Sequence, residues 1–106
     1  MFDELVKAAN TINTETQKVY KVSHDTQALA QTLCVVEEAG EFAGTVRRYM
    51  GLARRDGSKQ DMQDELADVI ISAFVAGAAL HIDIQAAIET KLAKVMSRGW
   101  KNVNAN

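Results

Sequence analysis

The spacing of apolar residues along the chain predicts four α-helices and no β-strands. Apolar side chains recur at helical intervals from Phe2 to Ile12, which predicts an N-terminal helix over residues 1–22. Three further helices are predicted over residues 26–52, 61–80 and 84–98, with a glycine-containing loop near 51–60 and a short connection at 81–83. The chain has no proline, as a bundle of helices allows. We predict one all-α domain over residues 1–106.

Side chains that cap helices indicate where the predicted elements begin and end. Ser23, Asp25 or Thr26 is expected to accept a hydrogen bond from the first amides of the second helix. Asp83 is expected to do the same for the fourth helix, and Gly99 lies where helices commonly end on a glycine.

The second and third predicted helices are the most apolar. In the second helix a stripe runs from Ala28 to Tyr49 and is widened by Leu29 and Val36, so we expect it to face the core. The third helix is apolar on every side between residues 69 and 80, and such a helix is buried all round. One subunit of 106 residues can hardly surround it. We therefore predict a four-helix-type bundle completed by homo-oligomerisation, as a homodimer or homotetramer.

Composition and charge narrow the classes of function. The net charge is −2, and no broad basic excess indicates a nucleic-acid polymer or an acidic membrane as a partner. The longest uncharged run, residues 69–82, is too short to cross a bilayer, and the first residues do not have the pattern of a secretory signal. The single cysteine, Cys34, cannot form an internal disulfide. We predict a cytoplasmic protein.

Two acidic pairs are the most informative polar feature. Glu38 and Glu41 in the second helix are three residues apart, which puts both carboxylates on one helical face. The same spacing separates Glu65 and Asp68 in the third helix. If the two helices pack antiparallel, the pairs converge, and all-oxygen ligands suit a hard cation such as Mg²⁺ or Mn²⁺. Acidic pairs also occur on solvated helix faces, so the residues alone leave both interpretations open.

A basic stripe runs along the fourth predicted helix. Lys91, Lys94 and Arg98 recur at spacings of three and four, and therefore share one face. Such a face can hold a polyphosphate, and Arg98 can contact it bidentately. Cations in the last turns of a helix also favour the helix dipole and commonly point to water, which is the simpler interpretation of the spacing alone.

Two acidic segments and a basic tail resemble a known family. The segments "EEAGE" at 37–41 and "ELAD" at 65–68, followed by "KLAKVMSRGW" at 91–100, are similar to the pattern of the MazG-like nucleoside triphosphate pyrophosphohydrolases over about residues 26–100. The resemblance implies an all-α, four-helix-type fold that assembles into dimers or dimers of dimers. It also implies hydrolysis of a nucleoside triphosphate, commonly a dNTP, to the monophosphate and pyrophosphate in a house-cleaning role.

The resemblance also implies a role for each residue at the matched positions. Five acidic residues would be catalytic, and all except the first would bind Mg²⁺: Glu37, Glu38, Glu41, Glu65 and Asp68. Glu37 would support the ligands or orient the attacking water. The basic residues would neutralise the phosphates, from the same subunit or from its neighbour.

Four residues are the predicted substrate-binding set: Lys91, Lys94, Arg98 and Trp100. Trp100 would stack on the base, although a large aromatic side chain is more often a core or rim residue. Two alternative functions stay open on the sequence. One is a phosphoribosyl-ATP pyrophosphatase, which shares acidic helical bundles, and the other is a non-catalytic helical dimerisation module whose acidic faces are solvated.

Overall fold

The chain folds into four α-helices in a computed structural model that describes residues 2–99, and within that range it forms no β-strand. The helices are α1 (Asp3–Tyr20), α2 (His24–Tyr49), α3 (Lys59–Ala79) and α4 (Ile84–Arg98). The prediction of an all-α fold is therefore confirmed. Both α2 and α3 begin two residues before their predicted starts, and α2 ends at Tyr49 rather than in the following loop.

Side-chain caps set the starts of three helices. The Ser23 hydroxyl accepts a hydrogen bond from the Thr26 amide at the start of α2, and Asp83 caps α4, as the sequence predicted. Before α3, the Ser58 hydroxyl accepts from the Asp61 amide while the Asp61 carboxylate accepts from the Ser58 amide. This capping box explains why α3 begins before Asp61, because Asp61 occupies the third position of the helix.

A small apolar core lies where α1 crosses α3. Ala9, Phe74 and Val75 are buried there, and the ring of Phe2 is tilted against that of Phe74 with 5.5 Å between the centroids. Partly buried apolar residues of α1 and α4 surround this core: Leu5, Val6, Ile84 and Ile88. The N-terminal helix is thus held against the C-terminal half of α3.

The most extensive helix contact is between α2 and α3, which form an antiparallel hairpin. The loop that joins them returns onto the end of α2, because a Cβ added to Gly57 would lie only 2.8 Å from the Cβ of Arg48. Glycine is therefore required where the two backbones approach. The hairpin sets the register in which the middle of α2 meets the first half of α3.

The fully buried residues of α2 are polar, whereas one edge of its apolar stripe is exposed. Gln27 and Gln31 are buried, while Leu29 is 60% exposed and Val36 is 68% exposed. The expectation that the stripe faces the core of the subunit is therefore wrong for Leu29 and Val36, although Phe42 of the same stripe is half-buried. An exposed apolar edge of this kind is typical of a surface that packs against a further partner.

The fourth helix is largely exposed within the subunit. None of its residues is buried, and Leu92 and Met96 are 57% and 66% exposed. The radius of gyration is 16.7 Å, whereas a compact domain of this length has about 13 Å. The single subunit is therefore more open than an ordinary globular domain.

Among the described residues, no single helix is long and apolar enough to cross a membrane. Only α3 and α4 taken together, across a bend of 116°, reach the length and composition of a span.

Candidate metal centre

Three carboxylates meet where α2 crosses the first half of α3. One carboxylate oxygen from each of Glu38, Glu65 and Asp68 lies within 4.8 Å of the other two. The antiparallel hairpin brings them together, because Glu38 comes from the middle of α2 while Glu65 and Asp68 occupy adjacent turns of α3. The two acidic pairs of the sequence therefore converge in the structure.

Glu41 lies beside these three carboxylates, one turn after Glu38 on α2. Its side chain is close enough to those of Glu38 and Glu65 for each pair of carboxyl groups to share a hydrogen bond when one of them is protonated. Glu41 and Asp68 are exposed, whereas Glu38 and Glu65 are half-buried. We call these four residues the carboxylate cluster.

The electrostatics of the carboxylate cluster favour a bound proton or cation. Desolvation, followed by repulsion from Glu41 and Asp68, raises the pKa of both Glu38 and Glu65 above the ordinary value of a glutamate. The Oε2 atom of each of these two residues is also buried without a hydrogen-bond partner. A carboxylate oxygen in that state lacks a positive partner, and a hard divalent cation such as Mg²⁺ would supply one to all four residues.

Glu37 lies outside the carboxylate cluster within one subunit. It is exposed, and its charge acts on Cys34 rather than on Glu38 or Glu65. Burial, together with the charges of Glu37 and Glu38, raises the pKa of the Cys34 thiol. A thiol that stays protonated is a poor nucleophile, so the surroundings of Cys34 do not favour nucleophilic chemistry.

The predicted phosphate-binding cations lie on α4, away from the carboxylate cluster of their own subunit. Lys91, Lys94 and Arg98 are exposed, and the ion pairs within residues 2–99 include none of them. Asp68 lies three turns before the end of α3, about 16 Å along the helix axis. Lys91 lies about 10 Å along α4 from its start, after a bend of 116° between the two helices. Trp100, the predicted stacking residue, falls outside the described residues.

A row of uncharged polar residues beside the cluster was not predicted from the sequence. Gln27 is 1% exposed, and its Nε2 donates to the backbone and side-chain oxygens of Asn13 and to the Thr16 hydroxyl at 2.7–3.1 Å. Gln31 lies one turn further along the same face and is also buried. The heptad spacing from Gln31 to Glu38 is the signal that could have identified this face.

Comparison with known proteins adds one match. The family model of the MazG nucleotide pyrophosphohydrolase domain matches residues 26–102, which covers most of the chain and includes the whole carboxylate cluster. The matched region begins after α1, so the N-terminal helix lies outside it. No curated protein and no solved structure matches the chain.

Proposed function

The chain belongs to the MazG nucleotide pyrophosphohydrolase family, and from this premise we propose that it hydrolyses nucleoside triphosphates, dNTPs in particular, to the monophosphate and pyrophosphate. The observation that carries the proposal is the carboxylate cluster, in which Glu38 and Glu65 each hold a buried oxygen without a partner. We propose Mg²⁺ as the cofactor, with Mn²⁺ as a substitute. A role in cleaning the nucleotide pool follows from the proposed activity, and a cytoplasmic location stays a prediction.

Each member of the carboxylate cluster has a role in the proposed reaction. Glu38, Glu41, Glu65 and Asp68 would hold the cation, which when bound supplies the positive charge that lets a polyphosphate approach four acidic groups. We assign to Glu41, the exposed member on α2 that contacts both half-buried glutamates, the acceptance of the proton from an attacking water. Glu37 is exposed and lies outside the carboxylate cluster within one subunit, so its predicted role of supporting the ligands or orienting the water stays a proposal. This hydrolysis requires no side-chain nucleophile.

The proposed function is tested by product identity. Purified protein incubated with a mixture of dNTPs and Mg²⁺ should release pyrophosphate and deoxynucleoside monophosphates. Release of orthophosphate would instead show cleavage at a different bond, and absence of any product would contradict the proposal. Phosphoribosyl-ATP belongs in the same panel, because preferential hydrolysis of that substrate would assign the chain to the sibling activity.

We further propose that the basic face of α4 acts on the carboxylate cluster of a neighbouring subunit. Lys91, Lys94 and Arg98 have no ion-pair partner in the described part of one subunit, and α4 lacks internal cover. Arg98→Ala and Glu65→Gln should each be weakly active alone. If the cations act on the neighbour, mixing the two proteins under exchange should restore about a quarter of the wild-type rate, because half of the dimers then contain one intact site.

The control for this complementation mixes two variants that each lack one carboxylate of the carboxylate cluster. Glu65→Gln mixed with Asp68→Asn should recover no activity, since both remove carboxylates and every site then lacks one. Failure of the Arg98→Ala and Glu65→Gln mixture to recover activity, with subunit exchange demonstrated by mass, would assign the cations to their own subunit.

The proposed homo-oligomer can be tested at the exposed apolar faces of the hairpin. Ile70 on α3 is 48% exposed, and Leu29 and Val36 present a second apolar surface on α2. Light scattering at micromolar concentration should show a dimer or tetramer, and Ile70→Glu should reduce it to a monomer by placing a charge in the interface. Leu52→Glu, at an apolar residue in the loop that is 64% exposed, should leave the assembly unchanged. A monomeric wild type would overturn the prediction.

A further inference from the structure

Gln31 is a buried polar side chain without a protein partner. It is 6% exposed, yet it forms no hydrogen bond with any other residue from 2 to 99, in contrast to Gln27 one turn away, whose amide nitrogen makes three. The amide of Gln31 is also absent from the fully enclosed unpartnered atoms, which are those of Gln27, Glu38 and Glu65. Its polar end is therefore reachable by solvent although its stem is covered.

Ser72 repeats this arrangement on the facing helix. It is 9% exposed, and its hydroxyl makes no hydrogen bond in the described part of the chain. Ser72 lies one turn after Asp68 on the face of α3 that carries the carboxylate cluster. In the antiparallel register that brings Glu38 to Glu65 and Asp68, Gln31 lies at the same level of the hairpin as Ser72.

Gln31 and Ser72 are both largely covered by protein, yet neither side chain makes a hydrogen bond within the described residues. Their polar atoms are not among the fully enclosed unpartnered atoms, so water can bond them in the free protein. A ligand that reaches this level of the hairpin would have to replace that water with hydrogen bonds of its own. The two side chains together therefore offer polar contacts by which a ligand can be recognised.

We propose that Gln31 and Ser72 form the nucleoside-recognition end of the site and discriminate between bases. Gln31 lies two turns from Glu38, about 10 Å along α2, which is comparable to the length of a nucleoside. A triphosphate held by a cation at the carboxylate cluster would thus place its base near this pair. The inference rests on the proposed function, which supplies the triphosphate.

The chemistry of the pair suits the hydrogen-bonding edge of a base. A carboxamide presents a donor and an acceptor side by side, and a nucleobase presents the same two groups on its pairing edge. The hydroxyl of Ser72 adds a group that can donate or accept. A site that makes such bonds rejects a base that leaves its polar groups unpaired, which is how a polar site discriminates strongly.

The test measures kcat/KM for each of the four dNTPs with the wild type, Gln31→Leu and Ser72→Ala. Gln31→Leu should lower kcat/KM for the preferred dNTP by at least about tenfold and flatten the ratios between bases. The same variant should melt no lower than the wild type, because the Gln31 side chain makes no hydrogen bond within the described residues that the substitution could remove, and leucine has a similar volume. Ser72→Ala should flatten the ratios to a smaller extent.

The matched control is Gln27→Leu, a substitution of the same kind one turn away on the same face. It should lower the melting temperature, because Asn13 and Thr16 lose their donor, and leave the ratios between bases unchanged. Unchanged base ratios in both Gln31→Leu and Ser72→Ala, or a lower melting temperature of Gln31→Leu, would overturn the inference and leave the proposed function standing. A wild type that releases no pyrophosphate from any nucleotide would overturn both.

Discussion

Asp68→Asn should reduce the release of pyrophosphate from dNTPs by at least about 100-fold, the size of effect expected when one group that stabilises the transition state is removed. The substitution keeps the shape of the side chain and removes the charge. In the proposed site Asp68 is one of three residues whose carboxylate oxygens lie within 4.8 Å of each other, so its loss removes a ligand of the cation. Steady-state rates at saturating Mg²⁺ and dNTP measure the effect.

The control for this substitution is Asp64→Asn on the same helix. Asp64 is exposed, and its only hydrogen bond in the described range is accepted from the Gln60 amide, a bond that an asparagine oxygen can also accept. The Asp64→Asn protein should keep close to the wild-type rate. Equal losses in both variants would point to the general negative charge of α3, and no loss at Asp68 would remove it from the catalytic set.

Mg²⁺ should raise the melting temperature of the wild type by about 10 °C or more, because a ligand at 100 times its Kd stabilises a protein by about 2.7 kcal/mol. Glu65→Gln should differ from the wild type in two respects. Without metal it should melt above the wild type at neutral pH, since it removes a charge from a crowded cluster, and it should lose most of the response to Mg²⁺. Thermal melts with Mg²⁺ or with a chelator give all four values.

The contribution of Glu38 and Glu65 to the stability of the metal-free protein should decrease as the pH rises. Because the pKa of Glu65 and of Glu38 is raised on folding, the folded protein without metal binds protons more readily than the unfolded chain. The contribution of these two groups to stability is present in full below about pH 4.3, the pKa of an unperturbed glutamate, and is lost as the pH rises through their raised values. The advantage of Glu65→Gln without metal should therefore grow with pH and disappear in acid.

Binding of Mg²⁺ should depend on the protonation of the same glutamates. Protons and the cation compete for the carboxylate cluster, so the shift in melting temperature caused by Mg²⁺ should be largest near neutral pH and vanish as the glutamates become protonated. A shift of the same size in the wild type and in Glu65→Gln would contradict a cation at this place.

The sequence predicted the helices well, because their signals are local. Ser23 and Asp83 cap their helices within three residues of the amides that they contact, and apolar spacing is read over a few turns. The start of α3 was missed because Ser58 and Asp61 act together, and Asp61 alone looked like the first residue. The convergence of Glu38 with Glu65 and Asp68 follows once two adjacent helices are taken as antiparallel.

The direction in which α2 faces could not be predicted from the chain. Hydrophobic spacing locates an apolar stripe, but it does not say whether that stripe meets the same subunit or another one. Leu29 and Val36 are exposed in the subunit, whereas Gln27 and Gln31 are buried. The groups that accept hydrogen bonds from buried Gln27 are on Asn13 and Thr16 of α1, so the burial of this side chain depends on tertiary packing that α2 alone does not encode. This is also why the polar row beside the carboxylate cluster went unnoticed.

Because no residue of α4 is buried within one subunit, the stability of this helix should depend on protein concentration. If its apolar side chains are shielded only by association, then dilution should loosen the last helix before the rest of the chain unfolds. Amide exchange in residues 84–98 should accelerate at low protein concentration while the centre of α3 remains protected. Specific activity would then fall on dilution even though every subunit keeps its own set of acids.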